Sequence, residues 1–300
     1  MTGIRCQVAT LVAACAVFGI GATSAAARGI APSAVEKQAV PAGKPVRLPE
    51  LKRARAFPSP ALQLHRGFVL QAAPGAEGGP GAATATVGIL TFKDQNNVGK
   101  QCSASVVGPH TLLTAAHCVK DHASGLVFSR FRFYPGVDGI VNPLSARKVN
   151  WLYTFKSWVT DRTANFRGRD LAFINTTTGF NAWEPLLFNA PLNGWIYHLG
   201  YPVDVGGRHC SAVDCHPWYC LSPIQGNISY GANFYAIGIT CNTQGGASGG
   251  PLWEWWNGQW YVAGPESFCP ASAGRCTGNT AWGIRLNSNA KNLYSTATAG

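Results

Sequence analysis

Gln244-Gly245-Gly246-Ala247-Ser248-Gly249-Gly250-Pro251-Leu252-Trp253-Glu254-Trp255-Trp256-Asn257-Gly258-Gln259-Trp260-Tyr261-Val262-Ala263 carries two structural signals side by side. Its second half is a pair of apolar runs, 252–256 and 259–263, joined by Asn257-Gly258. Asn-Gly accepts the two positive-φ positions of a type I′ turn, so this half reads as a β-hairpin. Its first half holds Ser248 among four glycines. Glycine permits positive φ and lets the backbone come close to a ligand. The plain alternative is a glycine-rich turn without chemistry.

The same texture of short apolar runs between turn residues recurs along the chain. Residues 86–92, 103–107, 111–114, 125–134, 195–199 and 234–240 read as strands, and only 288–296 looks helical. With 35 Gly, 19 Pro and 10 Trp in 300 residues, many short strands point to an all-β sandwich or barrel. Apolar residues make up 46% and charged residues 12%, which excludes a disordered, highly charged chain.

The N-terminus addresses the compartment. Arg5 precedes an apolar run from Val8 to about Ala22, and Thr23-Ser24-Ala25-Ala26-Ala27 follows as a small-residue cleavage site. Residues 1–27 read as a signal peptide. A membrane anchor is the first alternative, but the run is shorter than the ~20 residues a span needs. Lipid attachment at Cys15 is the second. Cleavage removes Cys6 and Cys15 and leaves eight cysteines, an even number suited to bridges in an oxidising compartment.

Residues 28–80 hold eight Lys/Arg against three Glu, and 81–300 hold fifteen against ten Asp/Glu. With Arg5 this makes up the net charge of +11, half of the excess lying on the short segment. That segment has eight prolines, no cysteine and no sustained apolar period. We read 28–83 as a propeptide or flexible basic leader and 84–300 as the globular domain. A nucleic-acid arm would need interleaved aromatics, which the leader lacks.

Three islands carry chemistry. Leu112-Leu113-Thr114-Ala115-Ala116-His117-Cys118 sets a His after a strand, Arg169-Asp170-Leu171-Ala172-Phe173-Ile174 sets an Asp before a buried run, and Ser248 lies in the glycine loop. Taken singly, a core His or a strand-capping Asp is an ordinary feature. Their chain order, His then Asp then Ser, is that of one known hydrolytic triad.

The resemblance is to the chymotrypsin/trypsin-like serine peptidases. Thr114-Ala115-Ala116-His117-Cys118 resembles the family's histidine box, Asp170-Leu171-Ala172 its aspartate box, and Gly246-Ala247-Ser248-Gly249-Gly250-Pro251 its serine box. The match runs on to Glu266-Ser267-Phe268 and covers about 84–300. The segment 241–248 is most similar to secreted bacterial and fungal members, including glutamyl-endopeptidase-like ones. The resemblance implies two packed six-stranded antiparallel β-barrels, about 84–185 and 186–300, with a short C-terminal helix and the site between them. It implies a secreted zymogen-derived serine endopeptidase that acts on polypeptides as a monomer. No cofactor, metal, nucleic acid or, after signal removal, membrane is called for.

By resemblance His117, Asp170 and Ser248 are catalytic, and the N–H groups of Gly246 and Ser248 form the oxyanion hole. Asn242, Thr243, Glu266, Ser267 and Phe268 are candidate substrate-binding residues. Glu266 either favours a Lys or Arg side chain or faces solvent, whereas Thr243-x-Gly245-Gly246 points to acidic specificity; the alternatives stay open. Two departures stand out. Ala247 replaces the Asp that pairs with a new N-terminal ammonium in trypsin-like zymogens, so the oxyanion loop must be ordered by other means. Cys241 is displaced from the usual position. The histidine box implies Cys102–Cys118, and Cys269–Cys276 closes a local loop. Cys210, Cys215, Cys220 and Cys241 allow three pairings, of which Cys210–Cys215 with Cys220–Cys241 is preferred. A zinc site from His209, Cys210, Cys215 and His216 is the competing use. Trp253, Trp255, Trp256 and Trp260 pack or flank substrate, with a sugar platform as the alternative. A catalytically inactive binding protein on the same scaffold and a triad esterase are the competing functions.

Overall fold

The computed structural model describes residues 34–41, 83–139, 141–142, 145–203, 210, 215–272, 275–276 and 279–299. Residues 1–27, read above as a signal peptide, His209 and most of the segment 28–83 lie outside the described residues. Strands β1 (Val35–Ala39), β2 (Val87–Lys93), β3 (Gly99–Val106), β4 (Thr111–Thr114), β5 (Ser129–Pro135), β6 (Arg147–Phe155) and β7 (Ala172–Thr176) form one sheet. β6 pairs with both β5 and β7, which closes six of them into an antiparallel barrel, with β1 added along β6. Strands β8 (Trp195–Gly200), β9 (Trp218–Ser229), β10 (Tyr235–Thr240), β11 (Pro251–Trp256), β12 (Gln259–Phe268) and β15 (Thr280–Ile284) close a second six-stranded barrel. The short pair β13 (Ala271–Ser272) and β14 (Arg275–Cys276) lies between β12 and β15. Helix α1 (Ala83–Thr86) leads into β2, α2 (Ser157–Thr160) follows β6, and α3 (Ser288–Thr298) ends the chain.

Each barrel closes because its strands put apolar side chains inside. Leu90, Ala104, Leu112, Phe131, Leu152 and Ile174 fill the first, and Ile196, Ile237, Ile239 and Leu252 the second. Burying each of these leucine, isoleucine and phenylalanine side chains is worth about 1.5–3 kcal/mol. A third cluster joins the barrels: Leu113, Tyr153, Phe155 and Phe173 meet Tyr201, Trp253 and Ile284, and α3 adds Leu293 and Ala297. The joint between barrels is therefore an apolar core, and residues at its rim are held rigidly with respect to one another.

The hairpin forms as its turn chemistry requires, with Asn257 at φ 47° and Gly258 at φ 84°. Trp253 is wholly buried and Trp260 nearly so, Trp255 meets Trp260 edge-on, and only Trp256 is exposed at 40%. The tryptophans are mainly core, not a platform. The expected strand over 125–134 begins only at Ser129, because Gly125 at φ 72° closes a turn in which Asp121 and Leu126 are hydrogen-bonded. β6, β9 and β15 have no counterpart in the sequence reading. Residues 35–39, within the segment 28–83, form strand β1 in register with residues 151–155 of β6.

Candidate active site

His117 sits in the single 3-10 turn Ala116–Cys118, directly after β4. Cys118 is bridged to Cys102 on β3, which ties the turn to the barrel wall. Asp170 ends the 3-10 segment Ala164–Arg169 and leads into β7. That segment is pinned against the second barrel: buried Arg169 donates to the Tyr230 carbonyl at 3.0 Å, and its guanidinium lies 4.5 Å from the Phe234 ring centroid. Gly168 is needed there, since a Cβ would come within 2.6 Å of Tyr230 Cβ.

The Asp170 carboxylate is buried and fully engaged. Its Oδ2 lies 2.7 Å from His117 Nδ1 and accepts from the Ser267 hydroxyl at 2.5 Å, while Oδ1 accepts the His117 backbone N–H at 2.8 Å. An acceptor carboxylate at Nδ1 holds that nitrogen protonated and leaves Nε2 as the free base. Burial disfavours the imidazolium, but the charge and hydrogen bond of Asp170 outweigh it and hold His117 above its ordinary 6.5. The ring keeps 36% of its surface, so solvent screens part of this effect.

Ser248 lies in the loop between β10 and β11, and β3 clamps it. Ser103 N–H donates to the Ser248 carbonyl at 2.8 Å, and the Ser103 hydroxyl donates to the Gly246 carbonyl at 2.8 Å and accepts from Tyr201 N–H at 2.8 Å. Cys118 Sγ approaches the Ser248 carbonyl to 3.8 Å, so the turn that bears His117 touches the serine backbone. Further bonds order the loop: Gly250 N–H to Ala247 O at 2.9 Å, Val203 N–H to Gly245 O at 2.8 Å, and Gly249 N–H to Glu266 O at 2.7 Å. Gly246 has φ 101° and Gly249 φ 85°, conformations that L side chains rarely adopt. Among the described residues, the N–H groups of Gly246 and Ser248 meet no backbone acceptor. Ala247 is buried against Gly200, whose added Cβ would stand 3.0 Å from Ala247 Cβ. The loop thus stands ordered with no charge at residue 247.

Glu266, on β12, is 2% exposed and does not face solvent. Burial pushes its carboxyl up to about 8, against the opposing pull of His117 and a hydrogen bond with Ser248. Among the described residues, its Oε2 and the Thr243 hydroxyl are buried without a hydrogen-bond partner, whereas Asn242 is exposed. Phe268 stacks on Trp282 at 6.2 Å and receives the Arg167 guanidinium at 5.9 Å. Beside it opens a groove of about 490 Å³ lined by His117, Trp158, Phe166, Arg167, Phe268 and Pro270.

A family model described as "Trypsin-like peptidase domain" matches residues 102–263. The chain belongs to this family. The matched span contains the His117 turn, the Asp170 segment and the whole serine loop. Among curated proteins, this trypsin-like chain is 26% identical over 170 residues to the glutamyl endopeptidase of Bacillus licheniformis, covering 55% of this chain and 49% of that protein. It is 24% identical over 156 residues to a Bacillus subtilis protein named extracellular metalloprotease, covering 51% and 46%. The chain thus spans about half the length of these curated relatives. Among solved structures, the thermostable serine protease AL20 from an extremophilic microorganism superposes with TM-score 0.60 at 23% identity, over 73% of this chain and 100% of that one. The protease Anisep of Arthrobacter nicotinovorans gives 0.59 at 22%, over 72% and 96%. At these identities both show the fold alone.

The trypsin-like domain carries four bridges: Cys102–Cys118, Cys210–Cys215, Cys220–Cys241 and Cys269–Cys276. The second takes Cys210 and Cys215 away from any zinc site. Donor atoms of Cys102, His117 and Cys118 lie within 4.8 Å of one another, but two are one disulfide and the third is held by Asp170. Among the described residues no helix is long and apolar enough to cross a membrane. Sequence reasoning missed Ser103 and Arg169 as supports of the site. Both are polar residues in otherwise apolar, buried surroundings. Only the Arg169-Asp170 adjacency was visible as a signal.

Proposed function

We propose that this chain is an exported serine endopeptidase, and the His117–Asp170–Ser267 hydrogen-bonded chain set against the clamped Ser248 loop carries that reading. His117 Nε2 takes the Ser248 proton as Oγ bonds to the substrate carbonyl carbon. Asp170 stabilises the imidazolium so formed. The N–H groups of Gly246 and Ser248 receive the oxyanion, each donor worth about 3–4 kcal/mol. The proton then passes from His117 to the amine nitrogen as the C–N bond breaks. Water repeats the sequence on the acyl-enzyme and restores Ser248. The ordered bonds around Ala247 favour a hole that needs no N-terminal ammonium. An inactive scaffold has no use for unpaired N–H groups beside a serine, and the groove next to Phe268 suits a polypeptide better than a small ester.

At the specificity site, Glu266 and Thr243 offer the unpartnered buried polar atoms. An entering Lys or Arg side chain would draw the proton off Glu266 and pair with the carboxylate. The glutamyl endopeptidase likeness supports the second reading, acidic specificity. The signal-peptide reading of 1–27 and the four bridges support export. Purified enzyme is tested with a fluorophosphonate and a peptide-library digest. Labelling at Ser248 with cleavage of internal peptide bonds is the expected result, with Ser248→Ala folded but roughly 10⁶-fold slower. Near-wild-type cleavage by that variant would refute the assignment.

A further inference from the structure

Residues 35–39 form a strand whose Glu36 is the partner of a buried lysine of the first barrel. β1 runs antiparallel to the second half of β6, extending the edge that β5 occupies only at Arg147 and Lys148. Two further bonds fix its ends, Lys156 N–H to Ala34 O at 2.8 Å and Val40 N–H to Asn150 O at 3.0 Å. Lys37 lies 4.6 Å from the Trp151 ring centroid. Without β1 this stretch of β6 would be an unpaired edge.

Glu36 is the decisive residue. Its Oε2 lies 2.7 Å from Lys120 Nζ, and its Oε1 accepts from Gln38 at 2.8 Å. The Lys120 side chain is only 3% exposed. A buried ammonium left without its partner is strongly destabilising. Lys120 is also wired to the site. Its N–H donates to Ala116 O at 2.9 Å, one residue before His117, and its carbonyl accepts from Trp158 Nε1 at 3.1 Å. Trp158 lines the groove together with His117.

We propose that residues 34–41 are a permanent strand of the catalytic unit, and that Glu36 is a positioning residue that holds the Trp158 wall of the substrate groove through Lys120. A cut anywhere between 42 and 82 leaves this strand on the barrel as a bound peptide. The role in substrate binding rests on the peptidase reading; the retention of the strand does not.

The test uses the full chain secreted as wild type, Glu36→Gln, Glu36→Asp, Lys120→Met and the Glu36→Gln/Lys120→Met double variant. Denaturing mass analysis of the purified wild type should find residues 34–41 in the preparation, on the main chain or as a separate peptide. Glu36→Gln should lower Tm by roughly 10 °C. It should raise KM for an extended peptide at least ~10-fold, while kcat and fluorophosphonate labelling of Ser248 stay within about 2-fold. Glu36→Asp should restore part of the KM, which a merely damaged fold would not. If Glu36→Gln does not fold, the double variant, which buries no charge, should recover the fold; its failure overturns the ion-pair argument. Active enzyme lacking 34–41 at unchanged Tm, or Glu36→Gln with wild-type Tm and KM, overturns the proposal. Wild type that resists labelling refutes the peptidase reading instead and leaves the mass and Tm results to decide the strand.

Discussion

Replacing Glu266 by Gln should change how the stability of this protein depends on pH. In the folded chain burial keeps Glu266 protonated up to about 8, whereas its ordinary value is 4.5. Between these values unfolding releases a proton, so stability falls as pH rises across the window, by roughly 1.4 kcal/mol per unit. Below 4.5 both states hold the proton and there is no effect; above 8 the full penalty, roughly 5 kcal/mol, is present. Gln keeps the shape and cannot ionise. Its buried amide has its own cost, but that cost is the same at every pH. The assay is urea unfolding of Ser248→Ala and of Ser248→Ala/Glu266→Gln at pH 4.5, 6, 7 and 8.5, the serine variant serving to stop autolysis. Removing the Ser248 hydroxyl deletes a hydrogen bond that favours the carboxylate, so it does not weaken the effect. The stability difference should tilt towards the Gln variant as pH rises, by roughly 3–5 kcal/mol over the series. Parallel curves would refute the burial argument and return Glu266 to solvent.

Four further outcomes follow from the same geometry. For active enzyme, kcat/KM should climb with pH through a value above 6.5, because His117 must be neutral to act as base and Asp170 holds its pKa up; Asp170→Asn should lower kcat about 10⁴-fold, and a profile flat from acid to neutral pH would remove His117 from that role. Ser103→Ala strands the Gly246 carbonyl and the Tyr201 N–H together, so it should destabilise by about 2–4 kcal/mol and lower kcat more than it raises KM, measured by denaturation and steady-state kinetics. Gly249→Ala puts a Cβ into the Thr114 hydroxyl and the Ser103 carbonyl at φ 85°, and should abolish secretion of folded enzyme, read by circular dichroism and yield.

Several features were legible in the residues because they are local. Asn257-Gly258 dictates its turn through φ alone, whatever surrounds it. Gly246 and Gly249 mark positions where the backbone must adopt φ 101° and 85°. The alternation of short apolar runs determined an all-β class. The order of His117, Asp170 and Ser248, with their flanking boxes, determined which residues to look for together. β9 was not legible, because Pro223 and Gly226 interrupt a strand whose edge residues are half-exposed. β6 and β15 form only where neighbours pair with them.

Tertiary structure alone decided the rest, since each such property depends on distances between residues remote in the chain. Cysteine spacing left three pairings open for four residues, and the approach of β9 to β10 brought Cys220 to Cys241. A glutamate at 266 reads the same whether it faces water or the core, and packing beside Ser248 made it a buried acid. Residues 28–83 are rich in proline and basic charge with no sustained apolar period, yet five of them complete an edge of β6. Besides the ladder to β6, their Glu36 pairs with Lys120, 84 positions away and only 3% exposed, and a buried ammonium is costly without such a partner.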